Sequence, residues 1–88
     1  MQQNFPNPFN PSTTIEYHLN KAANVKIDIF NIEGKLIDQV VNGYQKAGTQ
    51  KVLWNGINRK GERVSSGTYF YRITTDNNVQ TKKMMLLK

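Results

Sequence analysis

The amino-acid sequence predicts an all-β protein, an antiparallel β-sandwich of about seven strands. Apolar and polar residues alternate in several short segments, and such alternation is typical of strands that bury one face. The segments recur every ~8–15 residues, with turn-forming residues between them and no convincing helical periodicity. The chain of 88 residues is long enough for one domain with a modest core.

The first half of the chain contains three predicted strands. Thr13–Leu19 and residues 25–30 alternate between apolar and polar side chains. Gly34 follows them, where a hairpin turn needs a positive φ. Residues 36–41 would also fit one face of a helix. That segment is short, lacks an N-cap and is rich in β-branched residues, so we predict a third strand there.

The second half contains the heaviest candidates for a core. Its predicted elements are a loop over residues 42–48, a strand ending at Trp54, a strand that includes Tyr69, a turn at residues 76–78 and a final strand over residues 79–87. An aromatic side chain can bury ~150–250 Å², more than any other type. The residues predicted to pack between the sheets are Ile15, Ile27, Ile29, Trp54, Tyr69 and Tyr71. Strands of this number and spacing favour an immunoglobulin-like sandwich.

Residues 1–12 differ in composition from residues 13–88, and we predict that they form an extended lead-in to the sandwich. They contain all three prolines, which fix φ and remove backbone donors. Phe5 and Phe9 are too apolar for a free linker, so we expect at least one of them to dock on the domain. Alternatively, this proline-rich segment is itself a ligand for a proline-recognising groove.

Composition excludes several classes of chemistry. The chain has no cysteine, so a disulfide, a thiolate metal site and a cysteine nucleophile are ruled out. The net charge is +6, but the lysines occur singly or in pairs and there is no basic helix, so we predict no nucleic-acid partner. No apolar run approaches the ~18 residues of a membrane helix, and no secretory signal sequence is recognisable. We expect a monomer without a cofactor.

The oxygen-rich loop over residues 55–62 is the one segment that resembles a calcium loop in composition. Glu62 is its only acid, whereas calcium sites need several carboxylates, so we predict an ordinary turn and no bound metal. His18 is the only histidine, and its place on the polar phase of a strand predicts an exposed side chain.

No catalytic arrangement is recognisable. Glu16 and Asp28 could approach across a sheet, but a carboxylate pair for glycoside hydrolysis also needs a cleft that a small sandwich hardly provides. Ser65 and Ser66 lack the Gly-x-Ser-x-Gly context of a nucleophile elbow. We therefore predict that the protein is not an enzyme.

Five motifs, in order along the chain, make the sequence resemble a known family. They are PNPFNPSTTI, VKIDIFNIEGKLI, WNG, SSGTYFYRI and TKKMMLLK. Together they are similar to the C-terminal sorting domain of the type IX secretion system, type A (the Por secretion tail). That family is related to the Ig-like domain of flagellar hook-capping proteins. The resemblance covers residues 4–88, with one departure: family members often carry W-D-G-x-D where this chain has Asn55 and Asn58.

The resemblance implies a sorting signal at the end of a larger secreted protein, acting by protein–protein recognition. The implied partners are an N-terminal passenger domain, the outer-membrane type IX machinery and a sortase-like peptidase. The implied location is the cell surface or the medium, reached through the periplasm. The recurring pattern of the family falls on Gly67, Tyr69, Lys82 and Lys83, and with Lys88 these are the candidate residues for translocon recognition.

A second class of function stays open, an accessory binding module of a secreted enzyme, either carbohydrate-binding or adhesive. Sugar binding would use exposed aromatic side chains. Trp54 and Tyr69 share a strand phase with apolar neighbours and are expected in the core, which leaves Tyr44 in the predicted loop as the exposed candidate. The final strand carries lysines on both phases, a pattern typical of a sheet edge.

Overall fold

The structure, a computed structural model, describes residues 12–76 and 78–86. It contains six strands: β1 (Thr13–Leu19), β2 (Ala23–Asn31), β3 (Leu36–Gln45), β4 (Gly48–Trp54), β5 (Gly67–Thr75) and β6 (Asn78–Leu86). No helix occurs in this part of the chain. The predicted all-β, Ig-like sandwich is confirmed.

The strands form two antiparallel sheets. One has only two strands, in the order β1-β4, and the other has four, in the order β3-β2-β5-β6. Thr13 opposes Trp54 in the small sheet, and Ile27 opposes Ile73 in the large one. Residues that oppose each other across an antiparallel pair lie on the same face, so each register decides which side chains face the core.

The core lies between the two sheets. Its buried members are Ile15, Leu19, Val25, Ile27, Ile29, Trp54, Tyr69 and Leu86. They come from alternate positions of five strands, because successive side chains of a strand point to opposite faces. Of the predicted core residues only Tyr71 is not fully buried, and it packs against this cluster. The predicted core is therefore confirmed in place, with Tyr71 at its margin.

Strand β3 is longer and less regular than the sequence predicts. The register between β2 and β3 shifts twice, so Val40 and Ile37 are extra residues without a partner of their own. Such bulges bend and twist a strand. Both side chains pack against the core. Pairing continues to Gln45, so the prediction of a loop over residues 42–48 is wrong, and Tyr44 is an exposed strand residue.

The β2–β3 hairpin turn depends on two residues. The Oδ1 atom of Asn31 accepts hydrogen bonds from the backbone N–H groups of Glu33 and Lys35, each at 2.9 Å. Gly34 has a φ of 85°, which a residue with a side chain rarely adopts. The predicted positive φ at this glycine is confirmed.

The sandwich is closed on one side and open on the other. Only Lys46 and Ala47 separate β3 from β4, so the chain turns sharply from the large sheet to the small one and closes that side. On the opposite side β1 has no neighbour beyond it within the described residues, and it faces β5 and β6 across a groove.

Several sequence predictions concern residues outside the described ones, among them Asn77 of the predicted turn over residues 76–78. The lead-in of residues 1–12, with Phe5 and Phe9, falls there except for its last residue, so the division into lead-in and sandwich stays a prediction. Leu87 and Lys88 also lie outside. The observed final strand, β6, covers the rest of its predicted range.

Candidate interaction surfaces

The outward face of the four-stranded sheet carries a cluster of three polar residues, one from each of three neighbouring strands. Asp28 on β2 opposes Gln39 on β3 and Arg72 on β5. The Nε2 atom of Gln39 donates to Oδ1 of Asp28 at 2.8 Å, and Nη2 of Arg72 lies 3.6 Å from Oδ2. Asp28 is only 7% exposed, although no element described covers this face. Its two neighbours therefore shield and satisfy its charge.

Arg72 extends this cluster into an apolar region. Its guanidinium carbon lies 4.7 Å from the ring centroid of Phe30, within the range of a cation–π contact. Phe70 opposes Phe30 across the β2–β5 pair. A shallow depression of about 280 Å³ opens here, and we call its surface the outer patch. Its lining residues are Phe30, Asn31, Ile32, Gly34, Phe70, Arg72 and Thr81.

Large apolar side chains are exposed in and around the outer patch. Ile32, in the hairpin turn, is 74% exposed, and Met85 on β6 is 60% exposed. Met85 opposes Thr68 next to the Phe30–Phe70 row, with Lys83 beside it. A sheet face with central aromatics and a basic margin has the composition of a protein-contact surface.

The second surface is the groove along the open side of the sandwich, which we call the β1 groove. It has a volume of about 520 Å³. One wall is β1 with the turn that follows, and the other is formed by the ends of β5 and β6. Its lining residues are Glu16, Tyr17, His18, Leu19, Asn20, Lys21, Ala23, Ile73, Thr75, Asp76, Asn78, Gln80 and Lys82. Tyr17 and Ile73 supply its half-buried apolar surface, and burial raises the pKa of Tyr17.

Trp54 and Tyr69 hold the two sheets together at one end. Their ring centroids lie 5.3 Å apart at an interplanar angle of 68°, an edge-to-face contact. Trp54 donates from Nε1 to the carbonyl of Ile57 at 3.0 Å, and the Tyr69 hydroxyl donates to the carbonyl of Ser65 at 2.7 Å. Both polar atoms are used inside the domain, and both side chains are buried, so neither forms a sugar-binding platform.

The loop after Trp54 satisfies its own oxygen atoms. Oδ1 of Asn58 accepts from the N–H groups of Lys60 and Glu62, and its Nδ2 donates to Oε1 of Glu62 at 3.1 Å. No group of three or more acidic, histidine or cysteine residues that could hold a metal is found within residues 12–76 and 78–86. The absence of a bound metal stays a prediction.

The structure does not bring the predicted recognition residues together. Tyr69 is buried in the core, and Gly67 opposes Leu86 at the start of β5. Lys82 and Lys83 are neighbours in β6 and point to opposite faces; Lys82 lines the β1 groove, and Lys83 opposes Phe70. Lys88 lies outside the described residues. Nothing in this geometry tests a role in recognition.

The side chains of Glu16 and Asp28 do not approach each other across a sheet. Glu16 is exposed on the outward face of the small sheet, whereas Asp28 faces away from it on the other sheet. His18 is exposed as predicted, with Nδ1 3.4 Å from Oγ1 of Thr49. Sequence reasoning missed the partners of Asp28. Alternation predicts the face of the strand on which Arg72 lies, but it does not predict the register that places Arg72 opposite Asp28.

No helix among the described residues is long and apolar enough to span a membrane.

The described residues form an antiparallel, Ig-like sandwich with an aromatic core. The family model of the FlgD Ig-like domain matches residues 10–78, which is most of the chain. The chain therefore belongs to the FlgD Ig-like domain family.

Two solved structures of FlgD match most of this chain. FlgD from P. aeruginosa has a TM-score of 0.68 and 21% identity, over 85% of this chain and 59% of that one. FlgD from Xanthomonas campestris, for which hook capping is described as essential for flagellar assembly, has a TM-score of 0.66 and 22% identity, over 86% of this chain and 56% of that one. At such identity the likeness shows the fold alone. The chain spans less than two thirds of either structure, and no curated protein matches it.

These comparisons correct the predicted function. The relation to the Ig-like domain of hook-capping proteins is confirmed by the family match. The prediction of a type IX sorting signal is wrong, because the family model and both structures point to FlgD. The alternative of a carbohydrate-binding or adhesive module of a secreted enzyme is contradicted by the same matches.

The predictions that depended on the sorting function are wrong with it. The expected partners were the outer-membrane type IX machinery, a sortase-like peptidase and a passenger domain, and the matches to FlgD contradict them. The expected route through the periplasm to the cell surface or the medium is contradicted on the same ground.

Proposed function

We propose that this chain is a scaffold module of a flagellar hook-capping protein of the FlgD type, which acts by protein–protein contact and not by catalysis. The observation that carries the proposal is the match of the FlgD Ig-like family model over residues 10–78. That family is structural, which supports the prediction of a non-enzymatic protein. We infer the hook-capping role from FlgD of Xanthomonas campestris, whose hook capping is described as essential for flagellar assembly.

The outer patch is the surface that best suits such contacts. It combines half-buried Phe30 and Phe70 with the exposed side chain of Ile32, and Arg72 lies over the Phe30 ring. Aromatic residues and arginine are enriched where proteins bind each other tightly. Asp28, which accepts a hydrogen bond from Gln39, also pairs with Arg72. This ion pair holds Arg72 in the outer patch before a partner binds.

Deletion of the gene for this protein in its native organism tests the proposal. We expect the deletion strain to lack flagellar hooks in electron micrographs and to be non-motile, and a plasmid copy of the gene to restore both. A deletion strain that builds hooks of normal length and frequency would overturn the proposed function.

Two matched variants of the plasmid copy test the surface. Ile32→Asp places a charge in the outer patch, and Leu53→Asp places one on the outward face of the small sheet, where Leu53 is 54% exposed. We expect Ile32→Asp to impair hook formation and Leu53→Asp to leave it intact, with both purified proteins melting like the unaltered chain. Equal rescue by both variants would show that contacts lie elsewhere.

A further inference from the structure

Two adjacent methionines of β6 lie in opposite environments. Met85 opposes Thr68 on the outward face of the four-stranded sheet, and its side chain is 60% exposed. Met84 points to the other face, opposes the buried Tyr69 and packs against the core. The two thioethers therefore have the same chemistry and are neighbours in the sequence, but they differ in their access to solvent.

The sulfur atom of Met85 accepts one hydrogen bond at the surface. Oγ1 of Thr68 donates to Sδ of Met85 at 3.3 Å. A thioether sulfur is a weak acceptor with two lone pairs. The bond to Thr68 engages one lone pair and leaves the other directed away from Thr68. Because solvent reaches this side chain, a dissolved oxidant can approach the free lone pair.

We propose that Met85 is a site of reversible oxidation by hydrogen peroxide, and that Thr68 directs the oxygen to one side of its sulfur. The free lone pair attacks one peroxide oxygen, and the O–O bond breaks as the S–O bond forms. The remaining hydroxyl proton passes to the departing hydroxide, which gives a sulfoxide and one molecule of water. Sulfur loses two electrons and peroxide gains them. Methionine sulfoxide reductases reverse the change. This inference does not depend on the proposed function.

Oxidation at this position alters the surface and spares the core. The thioether side chain is apolar, whereas a sulfoxide is polar. Met85 lies at the margin of the outer patch, where Ile32 is also exposed, and it points away from the core. The sulfoxide oxygen is a stronger acceptor than the sulfur, so the Thr68 hydroxyl keeps a partner. The margin of the outer patch thus becomes more polar while the fold stays intact.

Peroxide treatment of the folded 88-residue chain, followed by fragment-ion mass spectrometry, tests the proposal. We expect Met85 to be oxidised at least about tenfold faster than Met84, because a residue packed on the core reacts when its strand opens. In concentrated urea the two rates should become equal. Equal rates in the folded chain would overturn the proposal. A difference that persists in urea would also overturn it, since local sequence and not the fold would then be the cause.

Leucine variants separate the two methionines, because leucine has a volume close to that of methionine. Met85→Leu should remove the fast reaction from the peptide that contains both residues, and Met84→Leu should keep it. Limited oxidation should leave the Tm of the unaltered chain and of Met85→Leu equally unchanged, since surface changes alter stability little. A fast reaction that survives Met85→Leu contradicts the proposal, as does a fall in Tm that only the unaltered chain shows.

The hydrogen bond from Thr68 supplies a second readout. Because oxygen adds to the lone pair that Thr68 leaves free, one of the two sulfoxide epimers of Met85 should form in roughly threefold excess. Methionine sulfoxide reductases A and B each reduce one epimer, so their separate yields measure the ratio. Thr68→Val removes the hydroxyl and keeps the shape of the side chain, so the ratio should fall to about one. Equal epimers in the unaltered chain, or an excess that survives Thr68→Val, would show that Thr68 does not direct the oxidation.

Discussion

At the scale of single residues, Tyr69 shows why aromatic side chains dominate so small a core. Its ring meets Trp54 edge to face, and its hydroxyl reaches the carbonyl of Ser65 at 2.7 Å. A buried hydroxyl without a partner would cost free energy, and Ser65, in the loop between β4 and β5, supplies the partner. A comparable tyrosine hydrogen bond to the backbone a few residues upstream occurs in many Ig-like sandwiches.

Removing that hydroxyl tests its contribution. Tyr69→Phe should lower the free energy of unfolding by about 1 kcal/mol, because one hydrogen bond is lost while the ring stays. The measurement is urea denaturation at neutral pH. Tyr44→Phe is the matched control. Because Tyr44 is 69% exposed, this substitution should change the free energy of unfolding by no more than about 0.5 kcal/mol. Equal effects of the two variants would show that the Ser65 contact contributes nothing.

Alkaline pH should also destabilise the fold through its tyrosines. Burial raises the pKa of Tyr17 and of Tyr69 above the ordinary value of 10.0. The unfolded chain therefore releases these protons at lower pH than the folded chain, and stability falls as pH rises from about 10 through the folded pKa values. Below that window the contribution is complete. Denaturation curves at about pH 8 and about pH 11 should show the loss.

The variant Tyr17→Phe separates this effect from the titration of lysines. It cannot ionise, so the drop in stability between the two pH values should be smaller than in the unaltered chain. A drop of the same size in both proteins would mean that Tyr17 ionises alike in the folded and unfolded states.

At the scale of elements, β3 explains an ambiguity of the sequence. Leu36, Ile37, Val40 and Val41 have the spacing of a helical face. The two bulges opposite β2 make Ile37 and Val40 extra residues, so neighbouring apolar side chains can reach the same core. Alternation identified the other strands because they carry one residue per partner. A bulged strand breaks that period, so the short length, the missing N-cap and the β-branched residues had to decide.

The hairpin turn offers a test at the same scale. Gly34→Ala should lower the free energy of unfolding by about 1–2 kcal/mol, because the Cβ atom of alanine disfavours the left-handed backbone conformation. Its φ is 85° and no atom lies within 4 Å of an added Cβ, so the cost is conformational and not steric. Gly34→Asn should cost less, since asparagine tolerates that region. Thermal melts of both variants measure the difference, and an equal cost for alanine and asparagine would contradict the conformational explanation.

At the scale of the whole molecule, the sequence predicted the layers but not their pairing. Strand positions, the core and the hairpin at Gly34 follow from local alternation and turn chemistry. The row of Gln39, Asp28 and Arg72 does not, because it depends on registers between strands far apart in the chain. The motifs indicated the relation to the Ig-like domain of hook-capping proteins, which the family match confirms, but they also favoured a sorting function that the match contradicts. Residue patterns that build a common fold do not by themselves determine the function.

The contact between the two sheets should dominate overall stability. Trp54, on the small sheet, is 1% exposed and packs on Tyr69 of the large one. Trp54→Ala should therefore cost about 3–5 kcal/mol, measured by urea denaturation. Leu53→Ala, one residue away on the outward face, should cost less than about 1 kcal/mol. Similar losses for both would show that Trp54 does not join the sheets.

The Trp54–Tyr69 contact also gives the module two unlike poles. Thr13 opposes Trp54, and Leu86 opposes Gly67, close to Tyr69 in β5. Both ends of the described chain therefore emerge at the aromatic pole. The turns that join β1 to β2 and β3 to β4 lie at the opposite end of the sandwich. In a longer protein joined through these two ends, both connections would leave the domain at its aromatic end, and the turns at the opposite end would face away from them.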